Sequence, residues 1–215
     1  MNLKYGRESL VNNLVRAGHL RTHPVIRAFM SVPRETFVLK EYRDYAYRDE
    51  PLPTGWGQTI SAPHMVAIMT ELLAPKKTDR VLEIGAGSGY QAAILSKLVR
   101  EVLTVELDPR LAQLARTNLK AAGVTNVRVI AGDGWEGYPE EAPYDKIIVT
   151  CATPEFPPAL PKQLKDGGIM LAPLGGSSVQ MLTKAEKASG ILKSRNEGKC
   201  VFVPLRRRDA SEAPS

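Results

Sequence analysis

The sequence predicts an α/β protein of the doubly wound kind, a mostly parallel sheet flanked by helices, with a helical extension ahead of it. Three observations predict this. Apolar, strand-sized runs over 81–84, 102–105, 127–131, 147–150 and 169–172 are mostly separated by stretches of helical period. The segment VLEIGAGSGY sets a glycine turn directly behind the first of these strands. About twenty residues further on, the second strand closes on Glu106, the placement at which such folds hold ribose hydroxyls.

Each element has its own signal. Leu10, Val11, Leu14 and Val15 recur at helical spacing before the stop at Gly18, so a helix is expected over 8–17. A second, short helix carries Val25, Ile26, Phe29 and Met30. Residues 42–57 mix aromatics, charge, proline and glycine and read as an ordered loop. The segment SAPHMVAIMTELLAP reads as a helix with Pro63 in its first turn and Val66, Met69, Leu72 and Leu73 as its apolar residues. Further helices are expected over 90–98, 109–122 and 158–164. Beyond Leu174 the pattern changes to runs at 180–184 and 200–205 about a turn at Gly190, which predicts closing antiparallel strands.

At 215 residues the chain suits one large domain. Residues 1–205 are expected to form it, with 1–56 as helical and loop extension, 57–174 as cofactor-binding core and 175–205 as C-terminal strands. Residues 206–215 are expected to be a disordered tail. Apolar stretches are strand-sized and MNLKYGRESL is too polar for a signal peptide, so a cytoplasmic protein without a membrane partner is expected. Cys151 and Cys200 lie far apart with no histidines at ligand spacing, which suggests neither a disulfide framework nor a metal site. The formal charge of +6 raises nucleic acid as a partner, but the excess is spread out and no aromatics alternate with the basic residues. Oligomeric state is left open.

Glycine spacing narrows the ligand. A dinucleotide fingerprint wants GxGxxG, whereas here Gly85, Gly87 and Gly89 alternate and Tyr90 stands where the last glycine would fall. The arrangement resembles the first motif of class I S-adenosylmethionine methyltransferases. That resemblance implies S-adenosyl-L-methionine as cofactor, with Glu83, Gly85, Ala86, Gly87, Ser88 and Gly89 on one side of it and Glu106 and Leu107 on the other. In GDG at the end of the third strand, Asp133 can accept from an adenine amino group while Gly134 lets backbone approach the purine; an Asp-Gly turn is the competing reading. The fourth strand ends TCATP and lacks the Asn or Asp followed by prolines and an aromatic that clamps a base. No cysteine follows a proline as a nucleophile for cytosine carbon would, and Asp145 stands alone rather than in a metal-binding cluster.

The segment GQTISAPHMVA, just ahead of the core, resembles the pre-motif of protein-L-isoaspartate O-methyltransferases almost residue for residue. The likeness continues through VLEIGAGSGYQAA, GDGWEGYPEEAPYDKIIVTCA, QLKDGGIMLAPLG and a closing FVPL, and covers roughly residues 12–205. It implies methyl transfer to the free α-carboxylate of isoaspartyl residues in damaged proteins and peptides, with repair through a succinimide. Ser61 is then the catalytic-site serine, and Gln58, Thr59 and Ile60 help line the substrate site; His64 and Gln180 are further substrate-site candidates. An RNA or DNA methyltransferase is the alternative, favoured by charge and opposed by the missing base clamp.

Two of these residues have plainer readings. A serine just before Pro63 at a helix start is a good N-cap, and on residues alone capping is the stronger reading of Ser61. His64 reads first as a partly exposed first-turn residue, since a catalytic histidine usually has an orienting partner. An α-carboxylate has a pKa of about 3.5, so the implied nucleophile is already ionised at neutral pH and the site needs no base.

Overall fold

The computed structural model describes residues 3–208. Two helices open it: α1 (Leu3–Arg16), which buries Leu10, Val11 and Leu14, and α2 (His23–Ser31), which buries Val25, Ala28 and Phe29. Gly18, at φ +74°, ends the first, and the His19 N–H closes back on the Leu14 carbonyl. The expected loop over 42–57 needs correction. It begins in a 3₁₀ turn (Lys40–Tyr45) but ends in strand β1 (Leu52–Gly55), which pairs antiparallel with β2 (Gln58–Ile60). The reversal is made by Gly55, Trp56 and Gly57, all at positive φ. Helix α3 (Pro63–Leu73) follows.

The main sheet is built from β3 (Arg80–Ile84), β4 (Glu101–Glu106), β5 (Val127–Ala131), β6 (Tyr144–Val149), β7 (Leu164–Gly175), β8 (Gln180–Ala188) and β9 (Ile191–Cys200), in the order β5-β4-β3-β6-β7-β8-β9. The first five are parallel, and β8 and β9 complete the sheet antiparallel. Helices α4 (Tyr90–Ser96), α5 (Pro109–Ala121) and the short α6 (Leu160–Gln163) lie between strands. The chain winds outward from β3 to β5 and then returns to the other side of β3 with β6. That reversal opens a crevice at the carboxyl ends of β3 and β6.

Alternation along the strands separates two cores. Val81, Val102, Ile148 and Leu171 face a cluster built on α1 to α4, while Leu82, Ile84, Leu103 and Ile147 face one closed by Leu160, Leu164 and Tyr144. The closing strand expected over 200–205 also needs correction. A two-residue hairpin at Ser189 and Gly190, both at positive φ, reverses the chain, and the last strand is Ile191–Cys200. Its sequence ILKSRNEGKC is polar because it is the sheet's exposed edge, where charged side chains discourage further pairing.

Residues beyond Cys200 leave the sheet and cross the carboxyl ends of the strands. The Ala152 N–H donates to the Val203 carbonyl (2.8 Å) and the Leu205 N–H to the Ala152 carbonyl (2.7 Å). Of the expected tail, Arg206, Arg207 and Arg208 continue this strap, with the Arg208 N–H on Asp133 (2.9 Å); residues 209–215 lie outside the described residues. Among the described residues no helix is long and apolar enough to cross a membrane.

Candidate active site

One cavity occupies the crevice, and each wall comes from a different element. The loop after β3 supplies Gly85, Ala86, Gly87 and Ser88; the end of β4 supplies Glu106 and Leu107. Thr150 and Cys151 follow β6, Gly134 follows β5, and Val66 and Met69 come from α3. The hairpin and its exit supply Gln58, Thr59, Ile60 and Ser61, and the strap closes the far side with Phe202, Val203, Pro204, Leu205 and Arg206.

Two glycines are required by the geometry. Gly85 sits at φ +95°, and a Cβ there would come within 2.8 Å of Thr150 Oγ1, which itself donates to the Ile84 and Gly85 carbonyls. A Cβ on Gly134 would collide with Ile84 Cγ2. Both positions on the cavity wall are therefore held to glycine by close packing against Thr150 and Ile84.

Glu106 is the charged group of this wall. It is 7% exposed, and its two oxygens accept from the Gly87 N–H (2.9 Å) and the Asp108 N–H (3.1 Å). Amide donors hold the carboxylate still and leave its negative charge and further lone pairs for hydroxyl donors. Asp108 caps α5, accepting from the Arg110 N–H (2.9 Å), and the Arg110 guanidinium beside it holds its carboxyl down at about 2.

Five expected site residues lie off the cavity wall. Glu83 is fully buried within β3, and neither of its oxygens nor the neighbouring Thr104 hydroxyl closes a hydrogen bond. Burial pushes its carboxyl up to about 8, and the nearby Glu106 charge adds to the rise. Gly89 is the N-cap of α4 and packs against Leu119 and Ala115. Asp133 accepts from the Trp135 N–H on one oxygen and from the Arg208 N–H on the other, the contacts of a turn, and like Glu106 it keeps lone pairs for a further donor. His64 is bound through both its backbone N–H (2.8 Å) and ring Nδ1 (2.9 Å) to Asp49, with the His19 ring 5.8 Å away. Gln180 is 1% exposed; its amide donates to the Gly176 carbonyl (2.6 Å) and its oxygen accepts from Phe202 N–H (2.8 Å), so it anchors the strap from behind.

Ser61 departs from its simpler reading. The N-cap of α3 is Ala62, with no side-chain cap bond, and among the described residues the Ser61 hydroxyl makes no hydrogen bond within the chain while lining the cavity. Sequence reasoning passed over the strap and Tyr90. FVPL was visible as a string, but only its bonds to Ala152 and Gln180 bring it to the cavity. Tyr90, buried between Phe29, Phe37 and the Arg34 guanidinium, has its hydroxyl pushed up to about 12 by burial.

A bare glycine loop behind the first parallel strand and an amide-held acid ending the second fit an adenosine ligand without a pyrophosphate, and with the sheet they define a class I S-adenosylmethionine-dependent methyltransferase. Comparison with known proteins narrows the class. The chain belongs to the protein-L-isoaspartate(D-aspartate) O-methyltransferase family, whose sequence model matches residues 5–210. It is 50% identical over 213 residues to the protein-L-isoaspartate O-methyltransferase of Methanopyrus kandleri, covering 97% of this chain and 94% of that one. Over 203 residues it is 53% identical to that of Ignicoccus hospitalis, covering 93% and 96%. Among solved structures, a protein-L-isoaspartate O-methyltransferase superposes with a TM-score of 0.84 at 32% identity, matching 92% of this chain and 65% of that longer one. A Plasmodium falciparum chain crystallised with S-adenosyl-L-homocysteine shares the fold at a TM-score of 0.84 and 24% identity, covering 94% and 99%.

Proposed function

We propose that the cavity brings together, in one space, a methyl donor and the α-carboxylate of an isoaspartyl residue. The activity itself follows from family membership: the chain is a methyltransferase that uses S-adenosyl-L-methionine and acts on L-isoaspartyl residues of proteins and peptides. The observation that carries our reading of the site is continuity. A single cavity is walled on one side by the glycine loop and Glu106 and on the other by Gln58, Thr59, Ile60 and Ser61.

S-adenosyl-L-methionine, when bound, supplies a methyl group on a positively charged sulfur. Glu106 would hold its ribose hydroxyls, the bare backbone at Gly85 and Gly87 its methionine part, and Gly134 would admit the adenine edge. Ser61 would donate its hydroxyl to one oxygen of the substrate carboxylate and leave the other free to react. What supports this role is an uncommitted hydroxyl on the cavity wall. Val66, Met69 and Phe202 make much of the lining apolar, which excludes water from two opposite charges that are consumed together. No base is needed, and His64, tied to Asp49 away from the wall, is not assigned one. We also propose that the protein works in the cytoplasm, in keeping with two free, buried cysteines.

The test is selectivity. In an isoaspartyl peptide the free carboxylate sits on the α-carbon, whereas in an aspartyl peptide it is one methylene further out. A misplacement of about 1 Å can cost roughly a hundredfold in rate. The expected kcat/KM for a short isoaspartyl peptide exceeds that for its aspartyl twin by at least about a hundredfold, with a rate flat from about pH 6 to 8. Equal rates, or methyl incorporation into an RNA oligonucleotide instead, would overturn the reading.

A further inference from the structure

The strap carries cations to the mouth of the cavity that methyl transfer to a carboxylate does not require. Arg206 is part of the cavity wall, its side chain is 48% exposed, and among the described residues the nearest carboxylate is Asp108 at 4.0 Å. That carboxylate is already engaged by Arg110, whose guanidinium reaches it at 2.6 and 3.0 Å. One acid thus faces two arginines, and Arg206 is the looser of them. Beside it, Arg207 stacks over the Trp135 ring (3.2 Å to its centre), which fixes the guanidinium without neutralising it. The strap is pinned on both sides of Arg206, by the Leu205 N–H on Ala152 and the Arg208 N–H on Asp133, so the cation is held in position rather than swept through solvent.

We propose that Arg206 reads negative charge on the substrate: an Asp or Glu side chain one or two residues from the isoaspartyl residue pairs with its guanidinium, and Arg207 extends the positive field. The proposal rests on the reading that the cavity takes an isoaspartyl residue. An extended chain advances about 3.3 Å per residue, so a neighbour one or two positions away remains at the mouth when the reacting residue is inside. Guanidinium matches a carboxylate with two parallel hydrogen bonds, which a lysine or glutamine side chain cannot offer it in return. A phosphate backbone would also be attracted, but it would need cations tracking away from the cavity along a groove, whereas these lie on the strap at its edge.

The experiment compares isoaspartyl hexapeptides that differ only in carrying Glu, Gln or Lys at the two positions before, or the two after, the isoaspartyl residue. Wild type is expected to favour the Glu peptide over the Lys peptide by about tenfold in kcat/KM on at least one side at low salt, and less at 0.5 M NaCl, the behaviour of a partly exposed ion pair. In Arg206→Gln the ratio should fall to about twofold or less, and in Arg206→Glu it should invert, with melting temperatures checked on the same preparations. Equal kcat/KM across the series, or a preference that persists in Arg206→Gln, overturns the proposal. Competition by an RNA oligonucleotide at the Glu peptide's own concentration range also overturns it, because the charge would then be reading phosphate. Methylation of the Gln peptide checks the underlying substrate reading separately; its absence sinks that reading and this one with it.

Discussion

Strand β4 begins on Glu101 and ends on Glu106, and the two glutamates lead opposite lives. At the amino end of the sheet, Glu101 is paired with Arg80 and Arg100, while Glu141 nearby takes Arg80 and Arg128. Both carboxyls are held below their usual range by those guanidiniums, Glu101 chiefly by Arg80 and Glu141 chiefly by Arg128. At the carboxyl end, Glu106 is held by two peptide N–H groups instead. Arginines consume a carboxylate's charge, whereas amides orient it and leave the charge in place. The difference between a structural acid and a binding acid therefore lies in what holds it, and the sharpest tests are substitutions that separate the two.

The largest effect is expected at Glu106. Glu106→Ala removes the acceptor for two hydroxyls and should weaken S-adenosyl-L-homocysteine binding by about 1.5 to 3 kcal/mol, roughly tenfold to a hundredfold. Calorimetric affinity unchanged within twofold would show that amide-held acids at this end are no more functional than the paired ones.

Glu83, on the neighbouring strand, is a third case, an acid held by nothing. Its folded pKa of about 8 lies above the 4.5 of an ordinary glutamate, so the folded state binds the extra proton between those values. Stability is therefore fullest below about pH 4.5 and is lost as pH rises towards 8, by at most about 1.4 kcal/mol per pH unit. Glu83→Gln abolishes this titration. Relative to wild type, the variant should gain about 2 kcal/mol in urea unfolding between pH 5 and pH 6.5. Parallel pH profiles for the two proteins would mean that Glu83 is already ionised and partnered.

Ser61→Ala tests the hairpin wall. Because α3 is capped at Ala62, the substitution should cost less than about 0.5 kcal/mol in stability, while turnover falls by about tenfold or more with cofactor affinity nearly intact. A lost degree of stability with turnover preserved would return Ser61 to a structural role.

Much of this was legible in the chain because the signals are local. The VLEIGAGSGY turn, the strand closing on Glu106 and the GDG turn each carry their meaning within a few residues, and the parallel order follows from alternation of elements. What was not legible depends on long-range placement. Nothing in FVPLRRR says that it crosses the strand ends; that requires Ala152 and Gln180 to stand beneath it. For the same reason Gln180 reads as a site residue yet lies behind the strap, bound to the Phe202 N–H, and the sequence does not show that Asp133 also holds the strap through the Arg208 N–H. The Ser61 cap misses by one position, a shift that only backbone geometry decides. The polar edge strand β9 was hidden because charges that protect an edge also erase the alternation by which strands are found.

The smallest effect is expected at the opposite end of β4, and it is the control that gives the others meaning. Glu101 is 40% exposed on its side chain, and Arg80 keeps Glu141 as a second partner when Glu101 is lost. Exposed and redundant pairs of this kind contribute about 0.2 to 1 kcal/mol, and salt screens them. Glu101→Gln should therefore lower stability by less than about 1 kcal/mol, with a smaller difference at 0.5 M NaCl, and leave both cofactor affinity and methyl transfer at wild-type values. Measured on the same strand with the same change of charge as a Glu106→Gln twin, it isolates position from chemistry. A loss of affinity at Glu101 comparable to that at Glu106 would mean that charge acts through the sheet as a whole, and the contrast between its two ends would fail.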